Sequence, residues 1–141
     1  MIREVVKKMD AFTVTTRERC EMVDITNIVR EIVSRRKVSE GLVCIFVPHT
    51  TAAVTINENA DPAVPKDILS QLSRMVPETA AFLHREGNSD AHVKASLVGQ
   101  SEIVILSDGE LVLGTWQSIF FCEFDGPRTR RVYVEILAGG R

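Results

Sequence analysis

From Ala11 to Thr15 apolar and hydroxyl side chains alternate with period two, the pattern of a strand with one face buried. Glu21 to Ile25 prolongs or re-pairs that strand. Ile25, Ile28, Val29 and Ile32, with Val33, then recur at helical spacing, with Asp24 or Thr26 as the capping acceptor. Arg35-Arg36-Lys37 falls in the last turn, where cations offset the carbonyl end of a helix. After Gly41, Leu42 to Val47 is an unbroken apolar run rich in branched residues, which predicts a central strand buried on both faces. Pro48 has no N–H for a ladder and ends it, and Thr51 to Ile56 predicts the next strand.

Asp61-Pro62 pairs a cap acceptor with proline at a helix start. Val64, Ile68, Leu69, Leu72 and Met75 mark the helix that follows, which stops before Pro77. Glu78 to Leu83 adds at most a helical turn, and polar Arg85 to Ala91, with Gly87 and Asn88, reads as a loop. His92 to Val98 predicts a short helix closed by Gly99 in the left-handed conformation. Strands are expected at Ser101 to Leu106, Leu111 to Leu113, Ser118 to Phe124 and Arg131 to Ile136, with Asp108-Gly109 as a hairpin turn. No repeat or low-complexity linker divides the chain. The expectation is one α+β domain over residues 1–141, a β-rich mixed-sheet sandwich with two main helices.

Composition narrows the function classes. A chain of 141 residues buries about 68–70% of its unfolded surface, enough for a self-sufficient core. A net charge of -2 lacks the basic footprint that nucleic-acid binding requires. No apolar run reaches the ~20 residues of a membrane span. Ile2 to Lys8 mixes charged and apolar residues without a signal-peptide core, so a cytosolic protein is expected. Three scattered cysteines, an odd number, read as buried thiols rather than a disulfide framework.

All three histidines, His49, His84 and His92, lie between Pro48 and His92 among carboxylates, carboxamides and hydroxyls. Singly, each would be an ordinary surface or half-buried histidine. Together they have the donor set of an open zinc site with one position left for water or substrate. Glu58 is the better acid–base candidate, since it lacks the alternative role that Asp61 has as a helix cap, and Asp61 is a second catalytic candidate that can serve both roles. Asn88 and Asp90 read either as turn formers or as functional, Asn88 binding substrate and Asp90 orienting His92. Arg128, in Asp125-Gly126-Pro127-Arg128, is a planar fork suited to an anion, although the segment also reads as a plain turn. Trp116 is read first as a core aromatic and second as a stacking surface.

These residues fall in Pro48-His49-Thr50-Thr51-Ala52-Ala53, Glu58-Asn59-Ala60-Asp61-Pro62, Gly87-Asn88-Ser89-Asp90-Ala91-His92, Leu113-Gly114-Thr115-Trp116-Gln117 and Asp125-Gly126-Pro127-Arg128. In that order the segments resemble the YjbQ family, also called UPF0047 or secondary thiamine-phosphate synthase, from about Phe12 to Ile136. The resemblance implies an α+β sandwich assembled as a homotrimer. It also implies a divalent metal, zinc by preference, on His49, His84 and His92. The implied activity is weak formation of thiamine phosphate: hydroxymethylpyrimidine diphosphate joins a thiazole phosphate and pyrophosphate is released. A small phosphorylated or anionic molecule would be the ligand, with Arg128 holding it and Thr50, Thr51 or Lys94 assisting. No glycine-rich phosphate cradle is visible, and a three-histidine site suits water activation better than pyrophosphate binding. Two other readings therefore stay open: a zinc-dependent hydrolase of a small ester or phosphoester, and a non-catalytic trimer that binds a small ligand.

Overall fold

The structure, a computed structural model, describes residues 9–79 and 81–139. The Ile2 to Lys8 stretch lies outside the described residues, as does Ala80 in the turn expected near Glu78. In chain order the elements are β1 (Asp10–Thr15), β2 (Glu21–Asp24), α1 (Thr26–Arg36), β3 (Gly41–Phe46), β4 (Ala52–Glu58), α2 (Ala63–Met75), α3 (Ser89–Val98), β5 (Ser101–Ser107), β6 (Glu110–Leu111), β7 (Gln117–Glu123) and β8 (Thr129–Ala138). None of the described helices is long and apolar enough to cross a membrane.

Five strands form a large sheet in the order β1-β8-β3-β5-β6, and three form a small sheet in the order β2-β7-β4. The α+β sandwich is as expected. One detail of that expectation is corrected: every described pairing is antiparallel, so neither sheet is mixed. The short helix expected at His92 to Val98 is present as α3, which starts three residues earlier at Ser89 and takes in residues that read as loop.

The molecule is layered. One face of each sheet meets the other, and α1 closes the space between them: Val29, Ile32 and Val33 pack with Val43, Ile45, Val54, Phe121, Val132 and Val134. The second face of the small sheet is covered by helices, with Ala91 and Ala95 of α3 against Ala53, Phe120 and Cys122. Leu69 and Leu72 of α2 reach the same cluster, yet no residue of α2 is buried and Met75 is 60% exposed. The outer face of the large sheet has no such cover among the described residues. β3 is central by hydrogen bonding, with β5 on one edge and β8 on the other, but it is not buried on both faces. Val43 and Ile45 point inward, whereas Leu42 and Phe46 are exposed. A run of apolar side chains cannot report which of its two alternating faces will be covered.

Local chemistry sets the ends of elements as expected in most places. Asp24 Oδ1 accepts from the backbone N–H of Thr26 at 2.9 Å and from its hydroxyl at 2.6 Å, which starts α1. Asp61 Oδ1 accepts from the N–H of Ala63 at 2.9 Å and so caps α2. Asp108 and Gly109 both have positive φ, as a tight hairpin turn requires. Gly99, at φ 103 and ψ 156, follows α3 in a more extended conformation than the left-handed helix stop that was expected.

Candidate functional site

The chain leaves β3 in the large sheet and enters β4 in the small one through Val47 to Thr51. His49, Thr50 and Thr51 therefore stand at one end of the sandwich, where Asp125 to Arg128 and the start of α3 also arrive. A pocket of about 610 Å³ opens there, lined by His49, Thr50, Thr51, Asn88, His92 and Arg128 among others. Residues from four sequence-remote segments are thereby collected on a rigid frame.

The floor of this pocket is an ion network that the sequence reading missed. Arg130 is 6% exposed and Glu123 is fully buried, and Arg130 Nε donates to Glu123 Oε1 at 2.9 Å. Arg130 Nη2 also donates to Thr51 Oγ1 at 2.9 Å. On its other side Glu123 Oε1 accepts the Thr16 hydroxyl at 2.8 Å, and that hydroxyl accepts the backbone N–H of Arg128 at 2.8 Å. Thr51 is thus held from beneath, and Arg128 is anchored through its backbone. The available signal was weak: Glu123 and Arg130 sit inside alternating strands, at positions where an unpaired charge is costly.

Arg128 Nε donates to the Asp125 carbonyl at 2.8 Å and Nη2 to Asp125 Oδ2 at 3.1 Å, with the side chain still half exposed toward the opening. Asn88 Nδ2 donates to the same Asp125 oxygen at 2.9 Å, whereas Asn88 Oδ1 is buried without a partner among the described residues. Asp125 is therefore committed to Arg128 and Asn88. Asp90 belongs elsewhere: it is fully buried and bonded by Arg19 at 2.9 and 3.0 Å and by Lys94 at 2.9 Å. Burial alone would raise its carboxyl, but the two cations prevail and hold it at about 2. Asp90 and Lys94 are thus an internal ion cluster that seats α3 against the β1–β2 connection.

The histidines separate. His84 and His92 meet with ring centroids 5.4 Å apart in an edge-on arrangement, and His84 Nδ1 lies 3.2 Å from Ser89 Oγ. Glu86 is 3.8 Å from His84 Nε2. Around these rings is a second cavity, of about 550 Å³, that includes Phe82 and Leu83. His49 shares the first pocket with His92, but its Nε2 accepts the backbone N–H of Arg131 at 2.9 Å. Burial, and then the charge of Arg130, lower its basicity. No three His, Cys, Asp or Glu groups among the described residues converge to hold a metal ion. A three-histidine zinc centre thus does not fit a single chain. His84 and His92 have the donor chemistry for two of its bonds, and His49 is spent on the backbone of β8.

Glu58, Asp61 and Trp116 do not reach the pocket. Glu58 pairs with Gln117 at the far end of β4 from Thr51, about 20 Å away at roughly 3.3 Å per residue. Asn59 Nδ2 donates to Asp24 Oδ2 at 2.6 Å, which ties this end to the start of α1. Trp116 is 63% exposed and so is not the core aromatic first expected. The thiols are free, with Cys122 buried and pushed up to about 12 by that burial.

The comparisons with known proteins agree with this architecture. Residues 10–139 match the family model described as UPF0047 protein YjbQ-like. The chain is 53% identical over 133 residues to UPF0047 protein MJ1081 of Methanocaldococcus jannaschii, covering 94% of this chain and 96% of that one. It is 49% identical over 125 residues to UPF0047 protein YugU of Bacillus subtilis, covering 88% and 95% respectively. The crystal structure of a YjbQ/UPF0047 protein from Clostridium acetobutylicum superposes with a TM-score of 0.90 at 49% identity, over 91% of this chain and 99% of that one. A YbjQ-like protein of unknown function from Sulfolobus solfataricus gives the same TM-score at 36% identity, over 94% and 97%. With sequence, fold and the order of its site segments in agreement, the chain belongs to the YjbQ/UPF0047 family.

Proposed function

We propose that this protein is an enzyme that binds a small phosphorylated molecule in the His49–Arg128 pocket and has the thiamine-phosphate-forming activity its family resemblance implies. The observation that carries the reading is the composition of one cavity. It presents an exposed guanidinium on Arg128, the buried one of Arg130 behind it, two hydroxyls and two imidazoles. In the proposed reaction the thiazole nitrogen forms a bond to the pyrimidine methylene carbon as the carbon–oxygen bond to the diphosphate breaks. Pyrophosphate leaves with both electrons of that bond, and Arg128 with the Thr50 and Thr51 hydroxyls stabilises its charge. Catalysis of this kind is positioning and electrostatics rather than covalent participation.

The implied zinc is proposed on His84 and His92, where it would add positive charge beside the pocket. Elemental analysis of His84→Ala/His92→Ala against His49→Ala tests it: loss of metal only in the first supports the assignment. The proposal also carries a homotrimer and a cytosolic location; the three free thiols are consistent with the latter.

The test of the reaction is direct. Purified protein is incubated with hydroxymethylpyrimidine diphosphate and thiazole phosphate, and thiamine phosphate and pyrophosphate are measured together. Product in equal amounts, reduced at least tenfold in Arg128→Ala, is the expected result. Pyrophosphate or phosphate released without thiamine phosphate would replace the reading with phosphoester hydrolysis. Saturable binding of either substrate without any product would leave a ligand-binding protein.

A further inference from the structure

We infer that the cavity around Phe82, Leu83 and Val93 is a ring-binding chamber, which takes the pyrimidine ring of the diphosphate whose charged end occupies the His49–Arg128 pocket. The inference rests on the reading of that pocket as the diphosphate site and adds where the rest of the molecule goes. Two observations carry it, the continuity of the two cavities and the exposed apolar walls of the second.

His92 lines both cavities, so they share a wall. Glu86 continues the seam: it lines the first cavity, and its carboxylate lies 3.8 Å from His84 Nε2, which borders the second. The volumes, about 610 and 550 Å³, are both in the range of small-molecule sites. Their chemistry differs. The first offers guanidiniums, hydroxyls and the Asn88 amide. The second offers Phe82, Leu83 and Val93, with His84, His92 and Ser89 as its few polar groups. A charged chamber and a largely apolar one, divided by a single side chain, match a ligand whose charged end is joined by a short link to a ring. In the proposed substrate that link is one methylene carbon, so a diphosphate held by Arg128 keeps its ring within reach of the adjoining chamber.

Exposure leads to the same assignment. Leu83 is fully exposed, and Phe82 and Val93 are 37% and 38% exposed, although all three line one concave surface. Single exposed apolar residues are ordinary, whereas three around one cavity form the kind of patch that marks a ligand groove. Phe82 and Leu83 come from the connection between α2 and α3, and Val93 comes from α3, the helix that also brings His92 to the pocket. His84 and His92 already meet edge to face, a geometry that an aromatic ligand ring can share. Phe82, Leu83 and Val93 carry no metal donor, so the chamber stands whether or not the two imidazoles hold an ion.

The test is calorimetry on the full chain with two probes, hydroxymethylpyrimidine diphosphate and methyl diphosphate, which carry the same charged group with and without the ring. The native protein should bind the ring-bearing probe about tenfold or more tightly than the other. In Phe82→Ser/Leu83→Ser that preference should fall to about twofold or less, with methyl diphosphate bound as before. Both side chains lie at the surface, so the circular dichroism spectrum should be retained. Val93→Ser, on the opposite wall, should reduce the preference independently. Equal affinity for the two probes in the native protein, or a preference untouched by both wall variants, would overturn the inference and leave the anion pocket in place. A native protein that binds neither probe would remove that pocket and the inference with it. A ring preference lost in the wall variants, without thiamine-phosphate formation, would keep the chamber and remove only the proposed reaction.

Discussion

His49 accepts at Nε2 the backbone N–H of Arg131, 2.9 Å away, across a separation of 82 residues in the chain. The bond requires a lone pair on Nε2, so the neutral ring carries its proton on Nδ1. Burial and the nearby Arg130 charge both oppose protonation and place the folded-state pKa below 6.5. The unfolded chain therefore binds this proton more readily than the folded one. Stability is lost as pH falls from about 6.5 toward the folded-state value and levels off beneath it. Melting temperatures from pH 8 to 5 should show that loss in the native protein and a flatter profile in His49→Gln. An NMR titration of His49 with a midpoint at or above 6.5 would contradict it.

Glu123 and Arg130 predict a larger effect. Removing one partner leaves the other charged and buried, which costs about 3–5 kcal/mol. Glu123→Ala should lower the unfolding free energy read from denaturant curves by that amount, and binding of inorganic phosphate in the pocket should weaken with it. Replacing both by apolar residues should restore much of the stability without restoring binding, a pair of outcomes that separates folding from the site.

Asp90 gives the acid side of the stability profile. Its folded pKa, at about 2, lies below its unfolded value near 3.8, so its contribution is complete above the unfolded value. That contribution disappears as pH falls through about 2. Asp90→Asn should be less stable at pH 7, with Lys94 left buried beside a neutral amide, and should lose less additional stability between pH 5 and 2. Parallel denaturation curves at these pH values provide the measurement.

Gly126 lies where three segments press together. A Cβ there would stand 2.3 Å from the Glu18 carbonyl oxygen and 2.8 Å from Thr16 Oγ1. The first neighbour is backbone and cannot turn aside. Gly126→Ala should destabilise by roughly 1–3 kcal/mol. It should also disturb Arg128 through the Thr16 hydroxyl, seen as weaker phosphate binding in urea-free buffer where the variant is still folded.

Much of the molecule was legible in its periodicities. The alternation in β1, the helical spacing in α1, the Asp24 and Asp61 caps and the Asp-Gly hairpin are encoded over a few residues, so local rules reach them. The segments carrying His49, Asn88, His92 and Arg128 stood out as candidates by residue type alone. Tertiary structure alone decided which of them meet. The crossing from β3 in one sheet to β4 in the other brings His49 to Arg128. The length of β4 sends Glu58 and Trp116 to the opposite end, and the N–H of Arg131 removes His49 from a three-histidine centre. The Glu123–Arg130–Thr16 network and the open face of the large sheet depend on pairings between residues as far apart as Asp10 and Val134. Side-chain type and spacing along the chain carry no record of such pairings, because partner and register are set only when the sheets form and close on one another.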